Sequence, residues 1–139
     1  AIFVIVTFMV LAHKSKSGAP PGLVDGRLAA CPKRPNCIGS EDPKDRNHYI
    51  EPMPFPEGGM REAGTAVRQV IAAMGGQVNV DQPRYLAATF RTPVFGFVDD
   101  LEFRFDDENQ TINLRSASRS GYSDRGVNRK RIRRLRKMF

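Results

Sequence analysis

The chain has two cysteines and two histidines, so any thiol or imidazole chemistry must come from them. Cys31 and Cys37 lie in CPKRPNC, a stretch stiffened by Pro32 and Pro35. The pair could close a small disulfide loop, remain as free thiols, or supply part of a metal site, for which four donors are the usual structural requirement. Neither His13 nor His48 is held at a ligand spacing. No serine occupies a G-x-S-x-G elbow, and neither cysteine has a base visible in the sequence. Asp99 and Asp100 are adjacent on an expected strand, so they point to opposite faces and are poorly placed as a paired acid and base. These absences predict a protein without an enzymatic centre and without a cofactor.

The richest polar stretch is residues 97–131, FVDDLEFRFDDENQTINLRSASRSGYSDRGVNRKR. Alternation puts Asp99 in phase with Phe97, Leu101, Phe103 and Phe105, and a carboxylate on an apolar face must be paired or hydrogen-bonded. Arg119, Tyr122 and Asn128, at the strand end and helix start, are within reach of it. Arg115 falls on the other, solvent-facing phase with Asp100, Glu102 and Arg104, where cross-strand ion pairs are expected to be individually weak. The preferred reading is an internal clasp built from Asp99, Asp100, Arg115, Ser118, Arg119, Tyr122, Asp124 and Asn128, with Arg119 or Arg129 on Asp99. The alternative is a small anionic ligand, phosphate or carboxylate, held by the 116–123 loop and the following helix N-terminus. That loop lacks the GxxxxGK[ST] cradle, and Asp124 would repel an incoming anion.

The elements that must position these groups can be read from periodicity. Ala63, Val67, Val70, Ile71 and Met74 give a helix starting at Met60, stopped by Gly75 and Gly76. Alternating runs follow at 78–80, 85–91, 95–105 and 111–118, the last two joined by the turn DDENQ. Ser123 or Asp124 caps a final helix whose Val127, Ile132, Leu135, Met138 and Phe139 dock it. The expected fold is α+β: a small antiparallel sheet with two helices packed on one face, occupying residues 60–139. Residues 13–59 hold eight of the ten prolines and no sustained periodicity, which predicts an extended wrapping segment.

The net charge of +7 is concentrated at the end of the chain, because residues 119–139 carry nine Lys and Arg against the single Asp124. Arg129, Lys130, Arg133, Arg134, Arg136 and Lys137 form a basic helix that suits anionic lipid or an acidic face of a membrane-protein complex. Nucleic acid is disfavoured, since Phe139 is the only aromatic residue in that helix. At the other end, residues 1–12 read AIFVIVTFMVLA and are expected to be a partial transmembrane or signal-anchor segment. Twelve residues span about 18 Å, short of the hydrocarbon thickness of about 30 Å. His13, Lys14 and Lys16 would place the remainder on the cytoplasmic side by the positive-inside rule, whereas a disulfide would place it outside.

Three blocks, GRLAACPKRPNCIGS at 26–40, FGFVDDLEFRF at 95–105 and RSASRSGYSDRGVNRKRI at 115–132, resemble the bacterial and plastid family called domain of unknown function 1499. The resemblance implies an exported, membrane-anchored or lipid-anchored protein with no established activity. It favours the Cys31–Cys37 disulfide and an extracytoplasmic, periplasmic-side domain. No cysteine follows the apolar run at a lipidation position, because LAHK follows it, so a transmembrane anchor is expected over a lipid anchor. The function these readings predict is a non-enzymatic, membrane-anchored accessory protein.

Overall fold

A helix with apolar positions three and four residues apart has one face to bury, and the strands that follow it have the matching surface. The computed structural model describes residues 1–139. Its elements are α1 (Ile2–Lys16), β1 (Leu23–Val24), β2 (Arg27–Leu28), β3 (Cys37–Gly39), β4 (Met53–Pro54), α2 (Met60–Ala73), β5 (Gln77–Asp81), β6 (Tyr85–Arg91), β7 (Val98–Asp106), β8 (Thr111–Ser118) and α3 (Val127–Met138). The class is α+β. The main sheet runs β3-β8-β7-β6-β5, with β4 also on β8, and every ladder between its strands is antiparallel.

One face of the sheet carries Leu86, Ala88, Phe90, Leu101, Phe103, Phe105, Ile112 and Leu114, and both α2 and α3 pack on it. Ala63, Val67, Val70 and Ile71 come from α2, and Ile132 and Leu135 from α3. Two glycines end α2 for different reasons. Gly75 has φ +84°, a left-handed position that costs glycine little. Gly76 lies so close to the Phe90 ring that an added Cβ would sit 2.5 Å from it, so the strand after α2 approaches the core only because no side chain is there.

The extended segment departs from expectation: its first residues, 13–16, complete α1, and β1 and β2 pair antiparallel in a two-stranded sheet of their own. It also contributes β3 and β4 to the main sheet, both on β8, and Gly39 and Tyr49 add a parallel bridge. Strands of two or three residues leave no periodicity to read. The strand expected from residue 95 begins at Val98, because residues 92–97 fold into a tight loop in which the Gly96 amide donates to the Thr92 carbonyl at 3.1 Å. The apolar N-terminal run is helical within α1, but no helix of the protein is long and apolar enough to cross a membrane.

Candidate functional site

The second face of the sheet is where the polar chemistry lies, and it is not open to solvent. Asp100, Glu102, Arg104, Arg115 and Arg119 project from β7 and the β8 end, and residues 15–41 are drawn across them. The expectation that Asp100, Glu102, Arg104 and Arg115 face solvent in weak pairs is therefore corrected. Removing water from a carboxylate makes its partner obligatory, so these pairs are structural commitments.

Three pairs bolt the segment down. Arg119 Nε and Nη2 donate to the two oxygens of Asp100 at 2.7 and 2.8 Å, while Nη1 donates to the Gly18 carbonyl at 2.6 Å and to that of Ser15 at 3.3 Å. The Asp100 carboxylate holds the Arg119 guanidinium above its usual pKa. Arg104 donates to Glu41 through Nη2 at 2.6 Å and Nε at 3.1 Å, and Glu41 also accepts the Leu28 amide. Between them Glu102, 0% exposed, accepts from Tyr85 Oη at 2.6 Å, the Gly22 amide at 3.1 Å and Arg115 Nη1 at 3.2 Å.

Burial raises the Glu102 carboxyl pKa above its ordinary 4.5, outweighing those three donors, and burial followed by the bond to Glu102 pushes the Tyr85 phenol up. A carboxyl that holds its proton more tightly when folded gives stability that is complete below pH 4.5 and is lost as pH rises to the elevated folded value. Urea melts at a series of pH values should therefore show wild-type stability, minus that of Glu102→Gln, falling through that window and then levelling. A difference that rises with pH would mean that the pair with Arg115 dominates over burial.

On the helix-covered face, Asp99 is buried as its phase predicts, but its partner is Arg131, whose Nη2 donates at 2.7 Å. It is neither Arg119, which belongs to the opposite face, nor Arg129, which donates to the Asn47 carbonyl. Arg131 also donates through Nη1 to Asn128 Oδ1 at 2.7 Å and lies 4.8 Å over the Phe90 ring. Asn128 is a hub: Oδ1 accepts from Ser116, and Nδ2 faces Ser118 Oγ, Asp124 Oδ2 and the Asn36 carbonyl. Asp124 accepts the Gly126 and Asn128 amides at 2.8 and 2.9 Å, serving the start of α3. Tyr122 takes no part, being 68% exposed. Of the expected clasp residues, Asp99, Ser118, Asp124 and Asn128 meet on one face, and Asp100, Arg115 and Arg119 on the other.

Residues absent from the expectation are Arg131, Glu41, Tyr85 and Asn36. Strand parity is the signal that separates Arg119 from Asp99. Residues opposite each other in a ladder share a face, and Asp100 pairs with Ala117. Arg115 and Arg119, each two residues from Ala117, therefore belong with Asp100 rather than with Asp99.

Cys31 and Cys37 form a disulfide with their Cα atoms 5.7 Å apart. Beside it opens a cleft of about 500 Å³ lined in part by Asp25, Ser40, Glu41, Asp42, His48 and Arg115. Arg115 Nε is the only buried side-chain polar atom without a partner. The lining is mixed in charge, and His48 is already engaged: Nδ1 bonds Asp45 at 2.6 Å and Nε2 the Arg34 carbonyl at 2.8 Å. Neither ring nitrogen is left for a substrate proton. On α3, Lys130, Arg133, Arg134 and Lys137 are exposed and make no ion pair, while Arg136 reaches the Glu51 carbonyl.

A family model described as "Protein of unknown function (DUF1499)" matches residues 27–139. The chain belongs to the DUF1499 family. The matched span begins inside the extended segment and takes in the disulfide, Glu41 and every strand from β3 onward. Two of the three bolts, Arg104 with Glu41 and Arg115 with Glu102, thus connect residues within the DUF1499 span, whereas Gly18 and Ser15, held by Arg119, precede it. No curated protein matches the chain.

Proposed function

We propose that the protein is a membrane-tethered, extracytoplasmic accessory module that presents the basic face of α3 to an acidic surface of a membrane-protein complex. The observation that carries this reading is α1: Ile2, Phe3, Val4, Ile5, Val6, Phe8, Met9 and Val10 are all exposed. A helix that is apolar all round buries only part of its surface on the domain, here through Phe8, Ala12 and Ser15, and the apolar surface left over belongs in a nonpolar medium. Residues 2–11 measure about 15 Å at 1.5 Å per residue, roughly the depth of one leaflet. The disulfide supports an oxidising compartment.

Distance favours protein over lipid as the partner of the last turn of α3. The helix starts at the α1 end of the sheet, where Asn128 meets Ser118, and leads away toward Glu51. Lys137 is ten residues along from Val127, or about 15 Å at 1.5 Å per residue. That exceeds the Debye length of about 8 Å at physiological salt, so a headgroup layer at the α1 end would be screened from the last turn. At residues 119–128, the alternative site for an anion, Arg119 and Asn128 direct their donors to internal partners.

The test is fractionation of the full-length protein from its membranes. It should sediment with them and stay there in 1 M salt, while co-migration with a complex on native gels should be lost in 1 M salt and in Arg133→Glu/Arg134→Glu/Lys137→Glu. Recovery of the wild type in the soluble fraction would sink the tether. Co-migration unaffected by the triple variant would rule out the role of α3.

A further inference from the structure

We propose that the β6–β7 loop, residues 92–97, is a second lipid-contacting element that enters the headgroup–acyl boundary of the bilayer holding α1. The inference rests on the tether reading above and adds to it a surface of the globular domain.

Val94 is 93% exposed, yet it sits at φ +70°. A β-branched residue is disfavoured in that conformation, and a side chain in open water contributes no packing to offset it. Nor is the loop slack. The Thr92 amide donates to the Phe97 carbonyl at 2.8 Å, and Thr92 Oγ1 accepts the Phe97 amide at 2.9 Å, so the loop is a closed fingertip with Val94 at its apex. Strain and exposure together call for something outside the chain to cover the valine.

The loop's neighbour identifies what that is. Phe95 stacks on Phe8 of α1 with centroids 5.5 Å apart, and Phe97 meets Phe8 edge-on at 6.2 Å. Phe8 lies three residues before Leu11, about 4.5 Å deeper along the helix at 1.5 Å per residue. If the apolar run of α1 is in hydrocarbon, the loop joined to Phe8 is carried to the boundary with it, at the depth typical of interfacial apolar groups. Ser120 Oγ donates to the Leu11 carbonyl of α1 and brings exposed Tyr122, two residues on, to the same end of the domain. Tyrosine suits the headgroup level, with an apolar ring and a polar tip. Lys14, Lys16, Arg91 and Arg125 are exposed around this end and make no ion pair, which complements anionic headgroups.

The chain has no tryptophan, so one placed by substitution reports alone. Full-length Val94→Trp, Phe3→Trp and Asp107→Trp would each be added to phosphatidylcholine–phosphatidylglycerol vesicles with and without brominated acyl chains. Asp107 is exposed in the turn at the far end of β7. The expected result is blue-shifted emission and bromine quenching at positions 3 and 94, and neither at 107. Quenching at 3 without quenching at 94 overturns the loop proposal while the tether stands, and a blue shift at 94 without quenching overturns it in favour of burial against a second copy of the chain. No quenching at 3 removes the tether and the proposal together. Val94→Gly separates this role from folding: it should raise the melting temperature, since glycine accepts the positive φ, yet weaken vesicle partitioning several-fold. Partitioning equal to wild type would overturn the proposal.

Discussion

Replacing Arg131 with alanine is expected to destabilise the protein by about 3–5 kcal/mol, the cost of leaving a buried charge without its partner. The side chains of Arg131 and Asp99 are 9% and 4% exposed, so little water can replace the guanidinium. The same substitution removes the donor to Asn128 Oδ1 and the cation over Phe90. Arg131→Lys should cost less but not recover the wild type, because a single ammonium cannot serve Asp99 and Asn128 in the fork geometry that spans them. The double variant Asp99→Asn/Arg131→Met should lie closer to the wild type than Arg131→Ala does, since it removes both charges and keeps the volume. Urea melts at constant m would rank the three. A loss below about 1 kcal/mol for Arg131→Ala, the range of exposed pairs, would mean that water reaches Asp99.

This pair shows how far the sequence could be read. The burial of Asp99 follows from its phase with Leu101, Phe103 and Phe105, a property of one strand. Its partner does not follow, because Arg131 lies on a helix whose crossing of the sheet is fixed by Ile132 and Leu135 packing into the core. Chain proximity suggested Arg119, which strand parity excludes. The same boundary between local and non-local information governs the other face. β7 alternates apolar and charged residues as a strand with one wet side would, yet both sides are buried from Val98 to Phe103. What covers the charged side is the proline-rich segment, which has no periodicity and whose grip depends on single residues: Glu41, Gly22, Gly18 and Ser15.

The two faces therefore solve different problems. The apolar face is held by area and tolerates the usual spread of packing contributions, each of which depends on how many atoms are buried. The charged face is held by directional pairs, each of which fails if one member is lost. It also joins parts of the chain with different roles. Glu41 and Arg104 tie the DUF1499 span to itself, whereas Arg119 ties that span to the base of α1. Ser15 completes the attachment: its Oγ accepts the Val98 amide at 2.8 Å at the start of β7. α1 is thus fixed to the sheet rather than trailing from it, so any force or orientation imposed on α1 is passed to β7 and β8.

Arg119→Ala tests that linkage, and two readouts are needed because the residue has two partners. Asp100, with a side chain 4% exposed, would lose both of its guanidinium bonds, and a loss of about 3–5 kcal/mol in urea melts is expected. The carbonyls of Ser15 and Gly18 would lose the donor that pins them, and trypsin should then cut faster after Lys14 and Lys16. Global unfolding alone would also speed cleavage. The double variant Asp100→Asn/Arg119→Met resolves the ambiguity, since it removes the stranded charge but not the lost attachment. It should regain much of the stability and keep the rapid cleavage at Lys14 and Lys16. If cleavage slows in step with recovered stability, then Ser15, Ser120 and the Phe8–Phe95 contact hold α1 without the guanidinium, and Arg119 serves only Asp100. If cleavage stays fast in a stable protein, the guanidinium is the hinge pin between the apolar helix and the sheet.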